Sequence, residues 1–219
     1  MKIIAISDTH GQHRAKSLIL PDGDMIIHAG DLSTKGELSS VVDFLDWFSS
    51  LDYKYKVFIA GNHDFWFEKA TDDKVQELIP ENVIYLNDSG INIEGINIWG
   101  SPIQPYFYNW AFNRKRGKDI KKHWDLIPQN TDILITHGPA FSILDKTTRN
   151  DLAGCQDLLA KIKEVSPRYH IFGHIHEAYG ELEQFGIKFV NASLMNERYK
   201  LKNNPIEFII NSERIPTPL

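Results

Sequence analysis

Five times along this chain a short apolar, mostly β-branched run stops at a histidine, aspartate or asparagine, often beside a glycine. Ile3 to Ser7 leads into Asp8-Thr9-His10, and Met25 to Ala29 leads into Gly30-Asp31. Val57 to Ala60 leads into Gly61-Asn62-His63-Asp64, Ile133 to Thr136 into His137-Gly138, and Tyr169 to Phe172 into Gly173-His174-Ile175-His176. Runs of that length and composition, bounded by turn residues, read as buried strands. Strands alternating with amphipathic helices define an α/β domain, in which the carboxyl ends of neighbouring strands line one crevice where ligands bind. Asp8 and His176, 168 positions apart, can therefore converge on one point.

The rest of the chain supports that frame. Strands are expected at Lys2 to Ser7, Asp24 to Ala29, Tyr55 to Ala60, Ile96 to Gly100, Asp132 to Thr136 and Tyr169 to Phe172. Glu37 to Leu51 has helical periodicity, with Leu38, Val41, Val42, Leu45 and Phe48 on one face. Asp73 to Ile79 reads as a short helix stopped by Pro80, and Asp151 to Val165 as another, with Leu152, Leu158, Leu159 and Ile162 turned inward. Short strands at Ile91 to Glu94, Glu181 to Gln184, Ile187 to Val190 and Ile206 to Ile210 predict hairpins that complete a second sheet. Apolar residues make up 42% of the sequence, enough for a sizeable core. With no repeat and no Gly/Ser linker, residues 1–219 are expected to form one domain. Residues 101–116 are rich in aromatics and lack periodicity; a long loop of that kind in a compact domain is usually functional.

The polar groups at the strand ends form a coherent donor set. Carboxylates, an amide oxygen and imidazoles suit first-row ions such as Mn, Fe, Zn or Co better than Ca or Mg. The single cysteine, Cys155, is not among them, which excludes a thiolate zinc finger. Seven candidates (Asp8, His10, Asp31, Asn62, His137, His174 and His176) are too many for one four-coordinate ion and natural for two ions sharing a carboxylate. Such a pair clamps a phosphoryl group and activates water.

The five blocks, Asp-x-His, Gly-Asp, Gly-Asn-His-Asp, a lone His and Gly-His-x-His, resemble those of the calcineurin-like metallophosphoesterase superfamily, complete and in order. Further stretches resemble one subfamily, the metallophosphoesterase-domain proteins that also occur in vertebrate brain. These are His28 to Asp31, Trp110 to Asn113, His137 to Pro139, Gly154-Cys155, Gly173 to Glu177 with Tyr179-Gly180, and Asn191 to Ser193 with Tyr199. The resemblance implies a four-layer α/β/β/α fold with two facing mixed sheets. It also implies one ion on Asp8, His10, His176 and a bridging Asp31, and another on Asp31, Asn62, His137 and His174. Manganese is the expected metal, with iron or zinc as alternatives. His63 would protonate the leaving oxygen, with Asp64 orienting its imidazole. Some members of the subfamily lack the counterpart of His174; its presence here implies that both ions bind. The loop departs from the family in the basic run Arg114-Lys115-Arg116.

The expected activity is hydrolysis of phosphoesters, and by resemblance of small nucleotide-type phosphodiesters such as cyclic nucleotides. Trp110, Asn113 and Arg116 are the candidate substrate contacts. The alternative is a nucleotide-binding regulatory module that keeps its metals but turns over weakly. Loop aromatics could stack on a base or pack over the sheet edge. With 24 Lys and Arg against 29 Asp and Glu, the chain has no general attraction for long nucleic acid, which leaves small phosphoesters as partners. The N-terminal apolar run is too short for a signal-peptide core, no membrane-spanning stretch follows, and a cytoplasmic protein is expected. Among the other histidines, His28 and His170 are expected as buried supports, His13 as a cleft or loop residue, and His123 on the surface of a charged helix.

Overall fold

The computed structural model describes residues 1–212. In chain order the elements are β1 (Lys2–Ile6), β2 (Met25–Ala29), α1 (Leu38–Ser50), β3 (Tyr55–Ile59), α2 (Phe65–Lys69), α3 (Asp72–Leu78), β4 (Ile84–Tyr85), β5 (Ser89–Ile93) and β6 (Ile96–Ser101). They continue with β7 (Gln104–Pro105), β8 (Asn113–Arg114), α4 (Lys118–Trp124), β9 (Ile133–Thr136), α5 (Gln156–Val165), β10 (Tyr169–Phe172), β11 (Gly180–Gln184), β12 (Ile187–Asn191) and β13 (Ile206–Ile209).

Two mixed sheets carry the fold. One has the order β13-β1-β2-β3-β4, parallel except for β13; the other has the order β11-β12-β10-β9-β6-β5, parallel except at its two outer strands. Parallel strands are covered on both faces, which explains why their sequences are continuously apolar. Successive side chains point to opposite faces, and β1 divides accordingly. Ile3 and Ala5 join Val57, Ile98, Ile135, Ile171 and Val190 in an apolar layer between the sheets. Ile4 and Ile6 belong to the layer with Phe44, Phe48 and Phe58 on the helical side, and Leu158 and Ile162 of α5 belong with Phe172 and Phe189. The result is the four-layer α/β/β/α arrangement. No helix among the described residues is long and apolar enough to cross a membrane.

Three local expectations change. The buried face of α1 is Val41, Phe44, Leu45, Trp47 and Phe48, while Leu38 and Val42 are exposed. The aromatic rings at 44, 47 and 48 bury more surface, and they decide which stripe turns inward. The helix expected from Asp151 begins only at Gln156, and Leu152 is exposed. Residues before it are pinned outside the helix: Gly154 N–H donates to Asp145 Oδ2 at 3.0 Å, and Arg116 donates to the Ala153 and Gly154 carbonyls at 3.0 and 2.9 Å. Cys155 caps α5, its Sγ accepting from Leu158 N–H. Lastly, His123 is half-buried rather than surface, because its Nδ1 meets Asp88 Oδ2 at 2.6 Å.

The ends of β1, β2 and β3 in one sheet and of β9 and β10 in the other open on the same crevice. Main-chain bonds tie them: Asp8 N–H to Gly30 O (3.0 Å), Gly173 N–H to His137 O (3.0 Å), and Leu194 N–H to Ser7 O (3.0 Å), which links the two sheets.

Candidate metal centre

At these strand ends the backbone turns sharply, with positive φ at Asp8 (55°), His10 (41°), Asp31 (55°) and His174 (68°). The left-handed region costs a residue with a Cβ roughly 1–3 kcal/mol and clusters at functional sites. Here it turns the side chains from the strand direction into the crevice. Close approach requires glycine behind two of them. A Cβ on Gly61 would fall on Asp31 Oδ1 and 2.8 Å from His137 Cε1, and one on Gly173 would fall on Asp8 Oδ2 and Ser7 Oγ.

Asp31 Oδ2 is the central atom. It lies 3.6 Å from His10 Nε2, 3.3 Å from His137 Nε2 and 3.9 Å from His63 Nε2. Its other oxygen, Oδ1, accepts from His63 N–H at 2.8 Å. On one side, Asp8 Oδ1 is 3.3 Å from His176 Nε2 and 3.9 Å from His10 Nε2, and those two nitrogens are 3.4 Å apart. On the other, Asn62 Oδ1 is 2.9 Å from His137 Nε2, and His174 groups with Asp31 and His137. All seven candidate ligands meet in one place, and His63 Nε2 lies within reach of the His10–Asp31 group as well.

The rings are aimed by the main chain. His137 Nδ1–H donates to Ala29 O (2.9 Å), His176 Nδ1–H to Asn196 O (3.1 Å) and His63 Nδ1–H to Thr34 O (2.7 Å). Each bond holds Nδ1 outward and directs Nε2, the atom a metal would take, into the cluster. The electrostatics set the two buried carboxylates against the imidazoles around them. Burial would raise the Asp8 pKa, but His176 and His137 hold it well below the carboxylate range; His137, with weaker help from His63 and His10, does the same for Asp31. Burial lowers the His137 pKa, yet Asp31 outweighs it and carries the group up to about 9. Burial keeps His174 down at about 3, hence neutral and able to ligate. Two buried carboxylates, four converging imidazoles and an amide oxygen fit a dinuclear metal centre.

Asp64 takes a different place from the one expected. Its carboxylate accepts from Leu32 N–H (3.2 Å), Ser33 N–H (3.0 Å), Ser33 Oγ–H (2.7 Å) and Gly61 N–H (2.7 Å), which clamps the β2 and β3 turns together. Burial and Asp31 raise its pKa to about 6, against the pull of those bonds. His63 is oriented by the Thr34 carbonyl instead, and a main-chain group leaves no signature in the sequence.

A cavity of about 430 Å³ opens over the cluster, walled by Tyr106, Phe107, Trp110, Arg116 and Tyr199. β7 and β8 give the loop a short ladder, and Asn113 holds its tip: Nδ2 donates to the Phe107 and Tyr108 carbonyls (3.1 and 2.9 Å), and Oδ1 accepts from Phe107 N–H and Gln104 Nε2–H. Asn113 thus shapes the wall and is absent from the cavity lining. Arg116 and Trp110 do line it, and Phe112 is buried in the core. Tyr199 is the residue that strand-end reasoning misses. Its ring sits 5.0 Å from His10 and 4.9 Å from His176, on a turn with no flanking strand to announce it. His28 and His170 are buried supports, bonded to Thr9 Oγ1 (3.0 Å) and Thr136 Oγ1 (2.8 Å), and His13 is buried against Asp43 (2.9 Å).

The calcineurin-like phosphoesterase profile matches residues 1–178, a span that contains all seven converging side chains. The chain belongs to the calcineurin-like phosphoesterase family. It is 40% identical over 240 aligned residues to metallophosphoesterase domain-containing protein 1 of Homo sapiens, and equally to that of Mus musculus, covering 99% of this chain and 72% of each relative. Among solved structures, a phosphopantetheinyl hydrolase from Mycobacterium tuberculosis aligns with a TM-score of 0.63 at 15% identity, covering 90% of both chains, a likeness of fold. As a calcineurin-like phosphoesterase the protein carries out metal-dependent phosphoester hydrolysis. Strands β11 to β13, beyond the matched span, complete the edges of both sheets.

Proposed function

We propose that this calcineurin-like phosphoesterase is a dinuclear phosphodiesterase acting on small nucleotide-type substrates, cyclic nucleotides in particular. The observation that carries the dinuclear reading is the place of Asp31 Oδ2, within 3.6 Å of imidazoles from both halves of the cluster. In this proposal Asp8, His10 and His176 would hold one ion and Asn62, His137 and His174 the other, with Asp31 placed to serve both. The donor set suits first-row ions; manganese is the proposed metal, with iron or zinc as alternatives. When bound, the two ions neutralise phosphoryl charge and supply a nucleophile from water at neutral pH.

The chain's own residues do the rest. His63 is held through Nδ1 by Thr34, so its Nε2 faces the cavity and is the atom from which a proton reaches the leaving oxygen. Asp64 keeps the two turns that carry Asp31 and His63 in register. Arg116 offers a cation on the far wall, and the aromatic residues around it support a substrate with a flat, apolar part such as a base. A cytoplasmic setting belongs to the same proposal.

The test is a panel assay. Protein reconstituted with manganese, iron or zinc should contain about two ions per chain. It should turn over cyclic nucleotides and aryl diesters faster than monoesters. A firm content of one ion would remove the bridging assignment. Two ions with nucleotide binding and no turnover of any ester would make the chain a regulatory module.

A further inference from the structure

The indole of Trp110 lies on the imidazole of His63, ring centroids 4.1 Å apart and planes inclined by 34°. This contact is built in. Ala111, the next residue, donates its N–H to the carbonyl of Asn62, the residue before His63, at 3.1 Å. Phe112 N–H donates to Glu68 Oε1 at 2.8 Å, a second tie between the same loop and the segment that follows His63. Phe65 packs behind the indole at 6.0 Å. Around the rest of the ring His63 meets His10 at 4.7 Å and Tyr199 at 6.3 Å, both T-shaped, Asp31 Oδ2 at 3.9 Å from Nε2, and the Thr34 carbonyl at 2.7 Å from Nδ1. The hydrogen bond to Thr34 anchors the ring at Nδ1 alone; a flat group against its face further restrains rotation about the Cβ–Cγ bond, which would carry Nε2 away.

We infer that Trp110 is a positioning residue for His63: it holds the imidazole plane so that Nε2 faces the leaving oxygen. The aromatic loop then acts on departure of the leaving group as well as on the shape of the substrate. This inference rests on the leaving-group role given to His63 above, and the experiment separates the two. Wild type, His63→Ala, Trp110→Ala and Trp110→Phe are loaded with manganese and assayed on a series of aryl methyl phosphodiesters graded in leaving-group basicity. Metal content is measured on each.

His63→Ala should steepen the dependence of rate on leaving-group basicity, with both ions kept. Trp110→Ala should steepen it part-way, slowing the poorest leaving group on the order of tenfold, a fraction of the roughly 10²–10⁴-fold that general acid assistance supplies. Trp110→Phe, which keeps a flat face, should restore most of the wild-type dependence. In the metal-free protein the His63 Nδ1–H resonance, protected by Thr34, should be visible in wild type and Trp110→Phe and lost to exchange in Trp110→Ala. An equal slowing of every ester by Trp110→Ala, loss of metal, or failure of phenylalanine to restore the pattern overturns the inference while leaving His63 as the acid. A dependence in His63→Ala no steeper than in wild type overturns both.

Discussion

Asp31 and Phe107 line the same cavity, one 2% and the other 52% exposed, and they are held there by different means. Asp31 stands on the end of a central parallel strand, its backbone in the left-handed region, with glycine behind it and a main-chain donor on one of its oxygens. Phe107 stands on a loop whose tip is held mainly by the amide of Asn113. Strain at the floor persists because many bonds over-determine it, and a change there has nowhere to relax. Around Phe107 the wall is closed by a few bonds at the surface, so it can change there without disturbing what lies below, whereas the Trp110 end of the same loop is tied to the floor. Chemistry common to a family therefore belongs on the floor, and the part that chooses a substrate belongs on the wall.

Asp31→Asn is the harshest way to break that contrast. A neutral amide at the centre of the cluster should lower metal content and reduce turnover well beyond the roughly 10–100-fold typical of losing one supporting contact to a metal. His10→Ala should stay nearer that range at saturating metal. Elemental analysis and rates on both variants decide it, and more residual activity in Asp31→Asn than in His10→Ala would remove Asp31 from the centre.

Phe107→Ala sharpens the contrast from the other side. Metal content and turnover of a small alkyl diester should stay at wild-type level, while nucleotide turnover weakens by about 1 kcal/mol, the low end of base–aromatic stacking. Equal losses on both substrates would show that the wall supports the floor.

The last test concerns stability rather than turnover, at the histidines beneath the floor. Burial holds His28 and His170 at about 3, well under the ordinary 6.5. Between those values the unfolded chain binds protons that the folded chain does not, so stability present above 6.5 is lost as pH falls toward 3. Denaturation of the metal-free protein across that interval should show the decline, and His170→Gln should make it shallower. An unchanged slope would mean that His170 already takes a proton when folded.

Much of this site can be read from the sequence because strand ends in a parallel sheet share one edge. An apolar run that stops at Asp8, Asp31 or His137 therefore tells where its polar residue goes within its own sheet, while the packing of the two sheets brings the ends of β9 and β10 onto those of β1, β2 and β3. The same logic cannot reach residues positioned by contacts rather than by periodicity. Leu38 and Val42 share the apolar stripe of α1, but the larger rings at 44, 47 and 48 took the buried face. Asp64 adjoins His63 in sequence, yet four donors from the strand-end turns draw its carboxylate away, and a carbonyl at Thr34 orients the imidazole. Trp110 and Tyr199 sit on loops without a period, and only the packed chain brings their rings onto the histidines. Local pattern determined the strands and the donor at each strand end, since both depend on where short apolar runs end. The tertiary structure decided which neighbour holds each donor, since that depends on side-chain volume and on main-chain groups that every residue carries alike.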